Sequence, residues 1–143
     1  MTKEELVEFL IKNFRKGDRV DLSNLDFSEY EMSVDICCMK VNGNLFQSCQ
    51  EVNKNLFQHL QKVGGDLNQS SQNVNGYLRQ NYQTVKGNLF QDCQEVGGNL
   101  YQDYQVVQGN LHQEEQLVKG NLHQGRNTVS GKTFNRRKKT IKN

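Results

Sequence analysis

The chain has no proline and no tryptophan, and only 34% of its 143 residues are apolar, for a mean hydropathy of −0.83. No run of 18 apolar residues occurs, which excludes a membrane-spanning helix. The opening MTKEELVEFLIKNF is charged throughout and has no signal-peptide core. The sequence therefore reads as a soluble chain of the cytoplasm. Also missing are P-loop, GxSxG and HExxH motifs. No CxxC pair or His/Cys cluster has zinc spacing. The Asp and Glu residues are scattered, as on a solvated corner. An enzyme is not expected, nor is a metal or cofactor.

The four cysteines, Cys37, Cys38, Cys49 and Cys93, read as reduced thiols. Cys37 and Cys38 are adjacent, a poor geometry for a bridge. Cys49 and Cys93 share one repeat position but lie four repeats apart, so stacked strands would hold them roughly 10–19 Å from each other.

Repetition replaces what is missing. The stretch VKGNLFQDCQEVGGNLYQDYQVVQGNLHQEEQL, residues 85–117, is one eleven-residue phrase given three times. Units begin at Val41, Val52, Val63, Val74, Val85, Val96, Val107 and Val118, with a fading ninth at Val129. The consensus is V-x-G-N-L-x-Q-x-x-Q-x. Leu holds position five from Leu45 to Leu122 and Gln holds position seven from Gln47 to Gln124, while Lys54 is the one replacement of the position-three Gly.

An eleven-residue period also fits a right-handed helical coiled coil. A Gly in all units but one, usually an Asn, and a β-branched Val argue against that. Val, Gly, Leu and Gln instead fall at i, i+2, i+4 and i+6, one face of a strand, with the remaining residues turning a corner. Stacked units then place Val over Val, Leu over Leu and amide over amide, each fixed residue beside its own copy. The fold expected is an all-β parallel β-solenoid (β-helix). Eleven residues would close too tight a ring, so two units, 22 residues, should form one coil, with about four coils in the repeat array.

The N-terminal third differs. Residues 2–16 predict a helix, with Thr2 and Glu5 as a capping box, Leu6, Phe9, Leu10 and Phe14 on one face, and Gly17 as its end. Residues 20–39, VDLSNLDFSEYEMSVDICCM, then carry a five-residue period in Asp21-Leu22-Ser23, Asp26-Phe27-Ser28 and Glu31-Met32-Ser33. Over this one coil the chain resembles the pentapeptide-repeat family, whose central residue points into a four-sided β-helix of about twenty residues per coil. The pattern departs from the family at Asp35-Ile36-Cys37 and beyond. A fainter similarity links the Gly, Asn and Gln columns to curli-type amyloid repeats. The expected organisation is a capping helix over 1–18, a pentapeptide-like first coil over 19–40, a solenoid over 41–132 and a basic tail over 133–143.

Two features could bind a partner. Position six holds Phe46, Phe57, Phe90 and Tyr101, together with His112 and His123, and strand alternation would turn this column outward unless a corner twist brings the rings in. Tyr82 and Tyr104, at position nine, could extend either arrangement. The tail carries Arg136, Arg137, Lys138, Lys139 and Lys142, suited to phosphates or an acidic protein surface, or merely a solvated end. Residues 1–124 have 11 Lys+Arg against 16 Asp+Glu, a net of −5; residues 125–143 have seven basic residues and no acid.

The pentapeptide-repeat resemblance implies a protein that inhibits a nucleic-acid-processing enzyme by presenting a DNA-like rod, although −5 is weak for a mimic. Small chains of this form also look like phage or mobile-element proteins, for which blocking a CRISPR nuclease would be a fitting role. The alternatives are a self-assembling structural solenoid, including a closed homodimer, and a nucleic-acid binder acting through the tail. No membrane partner is expected, and no Thr column supports ice binding.

Overall fold

The computed structural model describes residues 2–27 and 33–135. In the repeat array each coil takes 22 residues and has four sides, each side one strand of two residues. Within a unit the first strand holds the position-eleven residue of the preceding unit and Val, as in Glu51–Val52, and the second holds Leu and position six, as in Leu56–Phe57. Corners lie between Val and Leu and again between the two Gln, so Val, Gly, Leu and Gln do not share one unbroken strand. Parallel pairing in the repeat array joins residues 22 apart, such as Leu67 with Leu89 and Val74 with Val96.

The stack makes about five turns, one leading coil and roughly four of the repeat, near 24 Å at the usual strand spacing. Following the chain, the four sides are a lysine face (Lys40–Val41, Lys62–Val63, Thr84–Val85, Val106–Val107, Thr128–Val129), a Phe90 face (Arg19–Asp21, Leu45–Phe46, Leu67–Asn68, Leu89–Phe90, Leu111–His112, Thr133–Phe134), a glutamate face (Asp26–Phe27, Glu51–Val52, Asn73–Val74, Glu95–Val96, Leu117–Val118) and an Arg79 face (Val34–Asp35, Leu56–Phe57, Leu78–Arg79, Leu100–Tyr101, Leu122–His123).

Val and Leu point inward and are buried from Val41 to Val118. The interior is nevertheless half amide. The position-seven and position-ten glutamines from Gln47 to Gln116, fourteen in all, have 0–3% exposure. From Gln69 onward each position-seven amide donates to its copy one coil below, as in Gln91 Nε2 to Gln69 Oε1 at 3.0 Å and Gln113 to Gln91 at 2.9 Å. It also donates across the coil, Gln91 to Gln80 at 3.2 Å and to Gln83 at 3.3 Å. Position-ten amides reach the backbone carbonyl of the coil below, as in Gln94 Nε2 to Gln69 O at 2.8 Å. A buried amide costs little only when its donors and acceptors are met, and the identical stack meets them at every layer.

The Asn column behaves differently from the amide ladder that the sequence suggests. Its side-chain oxygen accepts from the backbone N–H one coil above: Asn44 from Asp66, Asp66 from Asn88, Asn88 from Asn110 and Asn110 from Lys132, at 2.8–2.9 Å. Only an acceptor is required, which explains why Asp66 fits the column. Gly beside it is set by close approach: a Cβ on Gly87 would lie 2.8 Å from the backbone oxygen of Gly65.

The other corner has no glycine signal. Its position-nine residues, among them Cys49, Leu60, Ser71, Tyr82, Cys93, Tyr104, Glu115 and Arg126, have φ of 56–59°. Left-handed backbone disfavours such side chains by roughly 1–2 kcal/mol each. The ladder holds them there, as when Tyr82 N–H donates to Asp103 O at 3.1 Å.

Helix α1 spans Lys3–Phe14, with Thr2 Oγ1 accepting from Glu5 N at 3.1 Å. It stops short of residue 16 because Arg15–Lys16 pairs antiparallel with Arg19–Asp21 around Gly17, whose φ is +61°. Leu10 is buried, and Leu6, Val7, Ile11 and Phe14 pack on the same core, covering the N-terminal end. In the leading coil the amide slots are apolar. Val20 pairs with Leu45 and Val34 with Leu56, which puts Leu22 below Gln47 and Ile36 below Gln58. Leu22, Ile36 and Met39 are fully buried there, forming a floor beneath the glutamine network. Of the five-residue centres, Leu22 points inward, the Phe27 backbone pairs with Val52, and Met32 lies outside the described residues.

Candidate interaction surfaces

Alternate units fall on different sides, so position six forms two columns. The Phe90 face carries Asp21, Phe46, Asn68, Phe90, His112 and Phe134 in register. The Arg79 face carries Asp35, Phe57, Arg79, Tyr101 and His123. Phe46 and Phe90 thus share one side, and Phe57 and Tyr101 another. All four rings point outward yet are half-buried, because column neighbours cover their faces.

On the Phe90 face, His112 is stacked between Phe90 at 4.8 Å and Phe134 at 4.6 Å, and the Arg19 guanidinium sits 5.4 Å from the Phe46 ring. On the Arg79 face, the Arg79 guanidinium lies between Phe57 at 6.0 Å and Tyr101 at 5.1 Å, with His123 stacked on Tyr101 at 4.8 Å. Cations over ring faces gain electrostatic attraction, and the stacking fixes flexible side chains in advance. Position six, counted along one face, would have pointed to Arg79, since it occupies the same slot as Phe57 and Tyr101.

The corner between the Arg79 and lysine faces adds a third column. Tyr82 and Tyr104 stack at 5.0 Å with 3° between planes, and the Arg126 guanidinium lies 5.4 Å from the Tyr104 centroid. Arg126 Nη1 donates to Tyr104 Oη, and that hydrogen bond raises the pKa of an already strongly basic guanidinium. Tyr82 is 52% exposed.

Charge is sorted by side. Asp92, Glu114 and Glu115 occupy two successive layers of the corner between the Phe90 and glutamate faces, next to Glu95. Asp92 Oδ1 accepts from Glu114 N at 2.8 Å. The tail residues Arg136, Arg137, Lys138, Lys139 and Lys142 lie outside the described residues.

None of the four cysteines is in a disulfide; Cys37 is buried and the others are exposed, and Ser71 separates Cys49 from Cys93 in their column. Among the described residues no group of three His, Cys, Asp or Glu converges as metal ligands, and no helix is long and apolar enough to cross a membrane. Compared with known proteins, the chain matches no family model, no curated protein and no solved structure.

Proposed function

We propose that the chain is a non-enzymatic interaction protein, a stiff rod that engages a protein partner through the Arg79 face and the adjoining tyrosine corner. The observation that carries this reading is the prestacked series Phe57–Arg79–Tyr101–His123 beside Tyr82–Tyr104–Arg126. Aromatic and arginine side chains dominate binding energy at protein interfaces, and holding them in place beforehand lowers the entropy lost on binding.

The narrower form of the proposal is an inhibitor of a nucleic-acid-processing enzyme. It is supported by the acidic edge of Asp92, Glu95, Glu114 and Glu115, which could enter a groove built for phosphates. A phage counter-defence role, such as blocking a CRISPR nuclease in the cytoplasm, is the most specific version. Four cysteines without a disulfide suit a reducing compartment.

The test is capture from a nuclease-treated bacterial lysate with immobilised full-length chain and with an Arg79→Ala/Tyr101→Ser variant, followed by activity assays of any retained enzyme. Retention and inhibition of a nucleic-acid-processing enzyme by the parent protein, lost in the variant, is the expected result. Equal retention by both proteins, or recovery of nucleic acid alone, contradicts it.

A further inference from the structure

Position eleven carries a second period that the eleven-residue count hides. Along the chain it reads Lys40, Glu51, Lys62, Asn73, Thr84, Glu95, Val106, Leu117, Thr128. Because alternate units land on different faces, Lys40 and Lys62 stand on one side of the rod while Glu51 and Glu95 stand two sides away along the coil. Lys86, at position two, joins the first pair one layer further on. Lys40, Lys62 and Lys86 are thus separated in space from Glu51 and Glu95, with which they are interspersed in sequence.

The outward positions of the lysine face hold no carboxylate among the described residues. Lys40, Lys62 and Lys86 are exposed and make no ion pair among the described residues. With Asn42, Gly64 and Thr84 they line one shallow groove. Gly64 keeps its floor at backbone level, where a Cβ would run into the Asn42 carbonyl. Asp18 borders only the N-terminal end, beside Lys40 and Arg15. Asp66, at the next corner, has one carboxylate oxygen held by Asn88 N at 2.8 Å.

We infer that this lysine face binds the phosphodiester backbone of a single-stranded nucleic acid. Three cations rise along the rod in three successive layers, a line of roughly 10 Å and only one short strand wide. A narrow line of charge matches a single strand better than the plane of a membrane. The Tyr82–Tyr104–Arg126 corner borders the same face, since Tyr82 is followed by Gln83 and then Thr84 on the lysine side. Ring edges and a guanidinium there give unpaired bases something to meet once the phosphates are held. Neither the acidic edge nor the tail takes part; the tyrosine corner is shared with the protein-binding surface proposed above, whereas the line of lysines is not part of it.

The test is fluorescence anisotropy of labelled fifteen-nucleotide oligo(dT) and oligo(U) with the full chain, between 50 and 200 mM salt. A Lys40→Gln/Lys62→Gln/Lys86→Gln variant should bind at least ten-fold more weakly at the lower salt. Losing three phosphate contacts should also cut the slope of log affinity against log salt by about 2. A Lys12→Gln/Lys54→Gln/Lys119→Gln variant changes net charge equally on other sides and should bind like the parent. Circular dichroism melts verify that both variants fold. The inference is overturned if the parent binds neither oligonucleotide, if the two triple variants weaken equally, or if only neutralising Arg136, Arg137, Lys138 and Lys139 matters. It is also overturned if the lysine-face variant loses phosphatidylserine vesicles but keeps the oligonucleotides.

Discussion

Each unit turns two corners, and they are built from opposite chemistry. The Val-x-Gly-Asn-Leu corner is apolar within, with a glycine at van der Waals limits and an Asn that catches the next backbone N–H. The Gln-x-x-Gln corner is all amide within and turns on a left-handed residue that is never glycine in the repeat array. One corner is specified by shape, the other by hydrogen bonding. The comparison shows that stacking identity can support either, because a buried amide whose partner is its own copy is satisfied by repetition alone.

Substitutions should separate the two, each followed by urea unfolding of the full chain. Leu89→Ala removes a fully buried side chain from the apolar corner and should cost about 2–5 kcal/mol. Gln91→Leu is the sharper probe: it adds hydrophobicity at similar volume, yet it takes the donor from Gln69 Oε1 and the acceptor from Gln113 Nε2. A loss of about 2–4 kcal/mol is expected, and a gain in stability would show that the amide corner is only tolerated. Gly109→Ala forces a Cβ to 2.6 Å from the Gly87 oxygen and should cost about 1–3 kcal/mol.

Asn88→Ala leaves Asn110 N–H without its acceptor and should cost about 1 kcal/mol, whereas Asn88→Asp keeps it, as Asp66 does. The smallest effect has the opposite sign. Ser71→Gly relieves a φ of 59° and should raise stability by about 0.5 kcal/mol once the freer unfolded chain is counted.

Much of the fold was legible because it depends on period. Val41 to Val118 and Leu45 to Leu111 recur at fixed spacing and are buried, and two units per coil follow from the room their side chains need. The left-handed corner was not legible, since Cys49, Leu60 and Tyr82 carry no local signal for positive φ; the stack imposes it from outside the unit. The position-seven glutamines were placed on the face of Val and Leu by their spacing, but burial of the position-ten glutamines was hidden, because polarity alone says surface. The candidate surfaces were half legible. Phe57 and Tyr101 could be named from position six, but counting by eleven merged two faces into one. That merger concealed both Arg79 among the rings and the separation of Lys40 and Lys62 from Glu51 and Glu95. The apolar floor of Leu22, Ile36 and Met39 escaped notice for a similar reason: a five-residue period masked its alignment with the amide slots above.

The most direct measurement is hydrogen exchange of the glutamine side-chain amides by NMR, with exposed Gln108 as the internal control. A buried, layered amide network requires the Nε2 protons of Gln69, Gln80, Gln91 and Gln102 to persist for hours in D₂O, with contacts between amides 22 residues apart. Exchange of those protons as fast as that of Gln108 would contradict it.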